Sequence, residues 1–315
     1  MELRQLRYFV AIVDHGSLSR AARVLHIAQP ALTQQIKQLE DELEAQLLHR
    51  SAQGVMATDA GKTFYEHAQA ILKQVGDAKS AVGQSTRNPT GTVALGIPQS
   101  ASGVLALPLL TAIRARYPEI SLQLTEELTG NLIEQLKTGR INLAVLFDDG
   151  QLTSFATTPL VEEEMMFITR RDSQYAPVRR SATSSITLLR AVKAPLILPG
   201  WLHGVRPRIE NIARAAGMSL DNVIEINSVT ILKSAILADI GATILPVAPL
   251  LAEIERGDMR AHKISGVNIS RTLVLCASKN IPLTNAAAAV ERLVLEVVDE
   301  LCRSGQWPNV RMLAR

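Results

Sequence analysis

Thr33, Gln34 and Lys37 lie in one short stretch, LTQQIKQL, whose apolar residues Leu32, Ile36 and Leu39 recur at helical spacing. A helix built this way buries the apolar stripe and turns Pro30, Gln34, Lys37 and Asp41 outward, with Thr33 on the flank near its N-terminal end. Those side chains suit the edges of nucleic-acid bases. A glutamine bonds adenine at two atoms, a threonine donates or accepts, and a lysine reaches guanine or a phosphate. The same residues would equally make the solvated face of an ordinary helical hairpin.

Such a reading helix must be held by a second one. Leu18, Ala21, Ala22 and Leu25 form an earlier apolar stripe, and Leu32, Ile36, Leu39 and Leu43 form the later one. Ser17 is placed to cap the first helix. Pro30 fits the first turn of the second and is expected to keep Gln29 extended, so the turn runs from His26 to Gln29. Leu47 to Arg50 and Gly54 to Met56 then read as a small hairpin with a glycine in its turn, and Thr58 as the N-cap of a new helix. Helices plus such a wing make a winged helix-turn-helix.

The stretch from MELRQLRYFVAIVDHGSLSRAARVLHIAQPALTQQIKQLEDEL to QLLHRSAQGVMATDAGKTFYEHA resembles the amino-terminal pattern of LysR-type transcriptional regulators nearly end to end. HIAQPAL and the later layout are similar to the nitrogen-assimilation-control branch of that family. The resemblance implies a sequence-specific regulator of transcription that binds double-stranded promoter DNA as a dimer of dimers, answers to a small-molecule effector and works with RNA polymerase. On this footing Ser17, Arg20, Gln29, Pro30, Thr33, Gln34, Lys37, Arg50 and Gln53 are the candidate DNA contacts. Residues 1–58 hold six Lys or Arg and six Asp or Glu, so no net basic charge marks the segment. The distribution does: no acid occurs between His15 and Leu39, whereas Glu40, Asp41, Glu42 and Glu44 cluster beyond it. Arg4, Arg7, Arg20, Arg23, Lys37 and Arg50 are phosphate candidates, each also explicable as a solvated charge.

From Thr58 to about Arg87 the apolar residues Phe64, Ala68, Ile71, Val75, Ala78 and Val82 alternate in steps of four and three. A seam of that kind buries itself against another helix, and a second copy of the chain is the natural partner. The segment would be about 40 Å long. The resemblance implies the same, a linker helix that pairs subunits; packing onto its own domain is the alternative. Asn88 to Gly91 then mark a hinge.

The rest alternates strands and helices. TVALGI, a helix from about Gly103 to Arg116, SLQLTEEL, a helix through Leu132 to Leu136, and LAVLF come first. APLILP, a helix from about His203 to Ala216, NVIEIN, a helix from Val229 to Leu237, and ATILP repeat the order. Two parallel α/β units are expected. Their layout resembles the two-lobed periplasmic-binding-protein fold of LysR-type effector domains. That implies crossings near Val161 to Thr169 and Ile269 to Ala277. The expected division is residues 1–58 for the winged helix-turn-helix, 59–90 for the linker helix and hinge, 91–302 for the effector domain and 303–315 for a tail. Lobe one takes about 91–162 and 268–302, and lobe two about 163–267.

In such sheets ligands sit beyond the carboxyl ends of the strands, where helix N-termini favour anions. The candidates there are Gln99, Ser100, Ser102, Thr129, Gly130, Trp201, His203, Ser228 and Thr230, and a small anionic metabolite is the expected ligand. Helix capping explains any single Ser or Thr among them, and a lone Trp is as often packing.

Enzyme chemistry finds no support. HExxH, CxxC, GxSxG and a phosphate-loop glycine pattern are absent, and neither a metal nor a cofactor is expected. The run Glu162 to Glu164 reads as a solvated face at a crossover, the pairs Arg170–Arg171 and Arg179–Arg180 as surface loops, and Cys276 as core. Glu2, Arg4 and Arg7 interrupt any leader, no apolar run approaches the roughly twenty residues of a membrane span, and two cysteines in 315 residues suit a reducing compartment, so a cytoplasmic protein is expected. The remaining alternatives are a regulator of the same family set by its own abundance with an empty cleft, and a solute-binding or enzymatic α/β domain with a helical interaction arm.

Overall fold

The structure is a computed structural model that describes residues 1–51, 54–83, 88–148, 150, 152–177, 185–201 and 204–314. Two compact units divide it: residues 1–83 with 138–140, and the remainder.

In the first unit, α1 (Leu3–His15), α2 (Leu18–Val24) and α3 (Gln29–Glu42) are followed by the wing, β1 (Leu48–Ser51) and β2 (Gly54–Ala57), and by the long α4 (Asp59–Gly83). Phe9 and Ile12 of α1, Ala21 of α2, and Leu32, Ile36 and Leu39 of α3 have no exposed surface and share one core with Leu47, Leu48 and Val55 of the wing. Truncating any of the large ones to Ala would cost about 2–5 kcal/mol. Ser17 caps α2, its Oγ accepting from Arg20 N at 3.4 Å, and Thr58 caps α4, its Oγ1 accepting from Gly61 N at 2.9 Å. The wing is docked by Val55 N donating to Gly16 O at 2.9 Å. That approach requires glycine at 54, where φ is +137° and a Cβ would stand 2.7 Å from the same carbonyl.

One boundary differs from expectation. Gln29 is not extended: it is the first residue of α3, and Ala28 takes the extended conformation before it. Pro30 still stands in the first turn, and Gln29 is held helical by local bonds, its Oε1 accepting from Ser19 Oγ at 3.0 Å and its carbonyl from Thr33 Oγ1 at 3.0 Å.

The second unit begins with β3 (Gly91–Pro98), α5 (Gln99–Arg116), β4 (Ile120–Glu127), α6 (Thr129–Lys137), β5 (Leu143–Asp148) and β6 (Phe155–Glu164). The chain crosses at Met165 and continues through β7 (Met166–Arg170), β8 (Ser185–Thr187), α7 (Leu188–Lys193), β9 (Leu196–Leu198), α8 (Val205–Ala215), β10 (Val223–Glu225), α9 (Val229–Leu237), β11 (Thr243–Leu245), α10 (Leu251–Glu255) and β12 (Met259–Ser265). It returns to β13 (Ser270–Ser278), α11 (Asn285–Arg303) and β14 (Val310–Met312). The two crossings touch, Met165 N donating to Ile269 O at 2.7 Å.

The first lobe is a six-stranded sheet in the order β14-β6-β13-β5-β3-β4. Apolar side chains of α5 and α11 cover one face and those of α6 the other, which is why β3 and β5 are apolar nearly throughout. The second lobe has β11-β7-β12-β8, with the parallel pair β9 and β10 tied to β11 through Leu196 and Ala242. Neither sheet is wholly parallel, contrary to the sequence expectation. β3 is parallel to β4 and β5, whereas β13 is antiparallel to β5 and β6, and β7 to β11 and β12. A chain that crosses between lobes and comes back must run in opposite senses. The expected tail is also corrected: Trp307 is 1% exposed and residues 310–312 pair with Val161 to Glu163, so this segment forms an edge of the sheet.

Candidate nucleic-acid face and ligand cleft

α3 presents the reading residues as its sequence pattern demands. Gln34 and Lys37 are exposed, as are Gln29 and Pro30, while Thr33 is half-buried on the flank. Arg20 and Arg23 of α2 are exposed, and Ser17 is occupied by its cap. Ala28 offers no side-chain acceptor to the start of α3, which leaves the first-turn amides open to a phosphate oxygen. Arg50 stands on the wing 3.6 Å from Glu40, and Glu40 also accepts from the amides of Leu47 and Leu48 at 2.8 and 3.1 Å. The first acid after the reading face therefore staples α3 to the wing and partly satisfies the wing arginine. Gln53 lies outside the described residues.

The proposed seam on α4 divides. Phe64 is taken up by the unit's own core, its ring 5.1 Å from that of Phe9, and Ala68 is fully buried within the chain. Further along, Ile71, Ala78 and Val82 are exposed and Val75 half-buried, so only this part leaves an apolar stripe for a partner.

In the second unit a small cleft opens at the carboxyl ends of β3, β4 and β5 in one lobe and of β9, β10 and β11 in the other. Gln99, Ser100 and Thr129 line it, as expected from their places after the strands. The other described candidates do not. α5 begins at Gln99, four residues earlier than the sequence suggests, so Ser102 is already inside the helix, where it donates to Gln99 O at 3.0 Å and to Glu126. Gly130 lies one residue inside α6 and is not on the wall. Ser228 caps α9, accepting from Ile231 N at 3.4 Å, and its neighbours Asn227 and Val229 reach the cleft in place of Ser228 and Thr230. Trp201 is 55% exposed, with the Arg206 guanidinium 5.0 Å over its ring, and Arg206 is itself held by Glu210 and Glu225. His203 and the pair Arg179–Arg180 fall outside the described residues.

The one basic residue on the cleft wall is not among the sequence candidates. Arg271 of β13 lines the cleft at 5% exposure, its Cζ 3.6 Å from the centroid of the Phe147 ring. Burial pushes its guanidinium pKa down, and the charge of Glu163 opposes that shift. Glu163 is only 1% exposed, so the reading of Glu162 to Glu164 as a solvated face fails at its middle residue. On a strand the side chains alternate, and Glu163 points inward to Arg271 while Glu162 accepts from Ser270 and Arg311. Apolar walls from Leu128, Val205, Leu232 and Leu245 complete a cavity with one buried cation, the usual make-up of a small-molecule site.

Comparison with known proteins settles the family. Residues 3–62 match the bacterial regulatory helix-turn-helix proteins of the lysR family, and residues 86–299 match the LysR substrate binding domain. The chain belongs to the LysR family of transcription regulators. This LysR-type regulator is 35% identical over 299 residues to the nitrogen assimilation regulatory protein nac of Klebsiella aerogenes, covering 95% of each chain. To the protein of the same name from Escherichia coli it is 34% identical, covering 98% of this chain and 100% of the other. Among solved structures it is similar in fold to CbnR in complex with its target DNA (TM-score 0.69, 21% identity, 95% and 99% of the two chains) and to a full-length OxyR variant from Pseudomonas aeruginosa (TM-score 0.67, 21% identity, 95% and 97%). It is accordingly a DNA-binding transcription regulator with an effector-binding domain, and these relatives are regulators, not enzymes. No described helix is long and apolar enough to cross a membrane.

Proposed function

We propose that this regulator works in the cytoplasm as a dimer of dimers on promoter DNA and is controlled by a small carboxylate metabolite held in its inter-lobe cleft. The observation that carries the effector class is Arg271, a buried guanidinium at the wall of an otherwise mostly apolar cavity. A mostly apolar cavity with one guanidinium on its wall, paired behind to Glu163, and one acid, Glu127, at its rim favours a ligand with an apolar body and a single anionic end that meets the guanidinium. Ser100 and Thr129 supply hydroxyls beside it. The buried thiol offers no alternative control chemistry: Cys276 has no exposed surface, and burial pushes its pKa up to about 12, which keeps it protonated and unreactive.

For the DNA side, Gln34, Thr33 and Lys37 are the base-reading set, with Arg20 and Arg50 on phosphates. Ile71, Val75, Ala78 and Val82 form the pairing stripe. The test is a thermal-unfolding screen of the full chain against mono- and dicarboxylates beside their uncharged amides. A ligand at about a hundred times its Kd should add about 2.7 kcal/mol to stability. Arg271→Met should abolish the response to the carboxylate. If no carboxylate stabilises the protein while its regulated promoter follows its abundance in cells, the cleft is empty in function and the effector reading fails.

A further inference from the structure

Three residues far apart in the sequence form one buried chain of contacts behind the cleft. Trp307 Nε1 donates to Glu163 Oε1 at 3.0 Å. The other oxygen, Oε2, accepts from Arg271 Nε at 2.8 Å and Nη2 at 2.7 Å. Arg271 Nη2 also donates to Ser100 Oγ at 3.0 Å, in the first turn of α5. A guanidinium has five N–H donors. These contacts use the three on Nε and Nη2, and no bond is made by Nη1 among the described residues.

We propose that Trp307, in the segment between α11 and β14, is a positioning residue of the effector cleft: it holds one oxygen of Glu163 so that the other fixes Arg271 with Nη1 left to meet a ligand. This rests on the carboxylate reading of the cleft given above.

The reason lies in what Glu163 would do without the indole. A buried carboxylate oxygen with no donor is strongly unfavourable, and Arg271, already bonded to the other oxygen, has donors to offer it. The pair would close into the two-bond fork that carboxylates and guanidinium groups favour. Arg271 already gives Glu163 two bonds, both to Oε2, and sharing them between the two oxygens would rotate the guanidinium against Ser100 and the Phe147 ring and move Nη1 from the place it now holds. Trp307 does not line the cleft, and its hydrogen bond reaches the wall through Glu163. The arrangement needs an N–H on a large apolar body, which tryptophan supplies and phenylalanine does not. Backbone pairing keeps the parts in register: Val310 lies opposite Glu163 on β6, and Glu164 N donates to Asn309 O at 2.9 Å.

The experiment compares the wild-type chain with Trp307→Phe, using the tightest carboxylate from the thermal screen and its uncharged amide as probes. Trp307→Phe should bind the carboxylate about tenfold more weakly, a change of about 1.4 kcal/mol, and leave amide binding as it was. Equal losses for both probes, or no loss for either, would show a merely structural tryptophan and overturn the proposal. Nuclear magnetic resonance keeps the two readings apart and covers a variant too unstable to titrate. In ligand-free protein, conservative Trp307→Phe should shift the Arg271 Nε–H signal. In the wild type, the indole signal of Trp307, one of two tryptophans in the chain, should move when the carboxylate is added. An Arg271 signal unchanged by Trp307→Phe sinks the relay whatever binds. A shifted signal in a protein that binds no carboxylate sinks the effector reading and leaves the relay standing.

Discussion

The proposed DNA-reading face and the proposed effector cleft solve opposite problems with the same kinds of side chain. On α3, Gln34 and Lys37 stand in water, so their type and spacing alone declare what they can touch. In the cleft, Arg271 is buried, neutralised by Glu163 and bonded to Ser100, and its meaning depends on residues 108 and 171 positions away. An exposed reader can be replaced at the price of one contact. A buried cation is part of the architecture, so the proposed ligand site and the stability of the lobe depend on the same bonds.

The sharpest way to break this contrast is Glu163→Ala. It leaves Arg271 and Trp307 without their shared acceptor, and an unpaired buried charge of this kind costs about 3–5 kcal/mol. Denaturant unfolding should show a loss of that order. A loss below about 1 kcal/mol, the range of surface ion pairs, would mean that the cleft is as loosely held as the DNA face.

A second buried group adds a pH signature to the effector-binding unit. His262 on β12 is 3% exposed, packed beside Phe167, and burial, aided by the charge of Arg260, pushes its pKa from 6.5 down to about 4. The unfolded chain therefore takes up the proton first as pH falls. The stabilisation is fully present above pH 6.5 and is lost as pH drops through about 4, a total of about 3 kcal/mol. Unfolding measured from about pH 7 to 4 should show this slope, and His262→Gln should flatten it. Identical slopes for the two proteins would mean that His262 is accessible to protons in the folded state.

The smallest effects belong to the exposed face. Gln34→Ala should weaken binding to the specific operator by about 1–3 kcal/mol and spare random DNA. Arg50→Ala should weaken both and flatten the dependence of log K on log salt by at most about one unit, less if Glu40 already holds part of its charge. Gel shifts over a salt series decide this. Equal losses of Gln34→Ala on specific and random DNA would take that residue out of the groove.

What could be read from the sequence follows the same division. The bounds of α9 and the faces of α2 and α3 were legible because an apolar period of one helix is a local property, and Thr58 because a cap acts within three residues. The start of α5 was not, since QSAS after an extended proline looks like a loop until Ser100 is seen bonded to β13. β14 is three residues, too short to show alternation. Glu163 was misjudged because three acids in a row look solvated. Only the partners, 108 and 144 residues away, reveal which of the three turns inward. Three of the cleft candidates stand where their strand ends placed them, and the arginine that gives the cleft its charge was hidden in an apolar strand.

The late arrival of β14 also sets a timetable for synthesis. Glu163 leaves the ribosome before its indole donor and its neighbouring strand exist, the separation being 144 residues to Trp307. At about 5–20 residues per second that interval is roughly 7–30 s. Throughout it α1 to α3, translated earlier, have all the partners of their own core, while the first lobe still has an open edge and a carboxylate short of a donor. Every new molecule thus passes through a period in which its first unit is complete while the first lobe of the second still lacks its edge strand, and any product cut short ahead of Trp307 would keep that open edge.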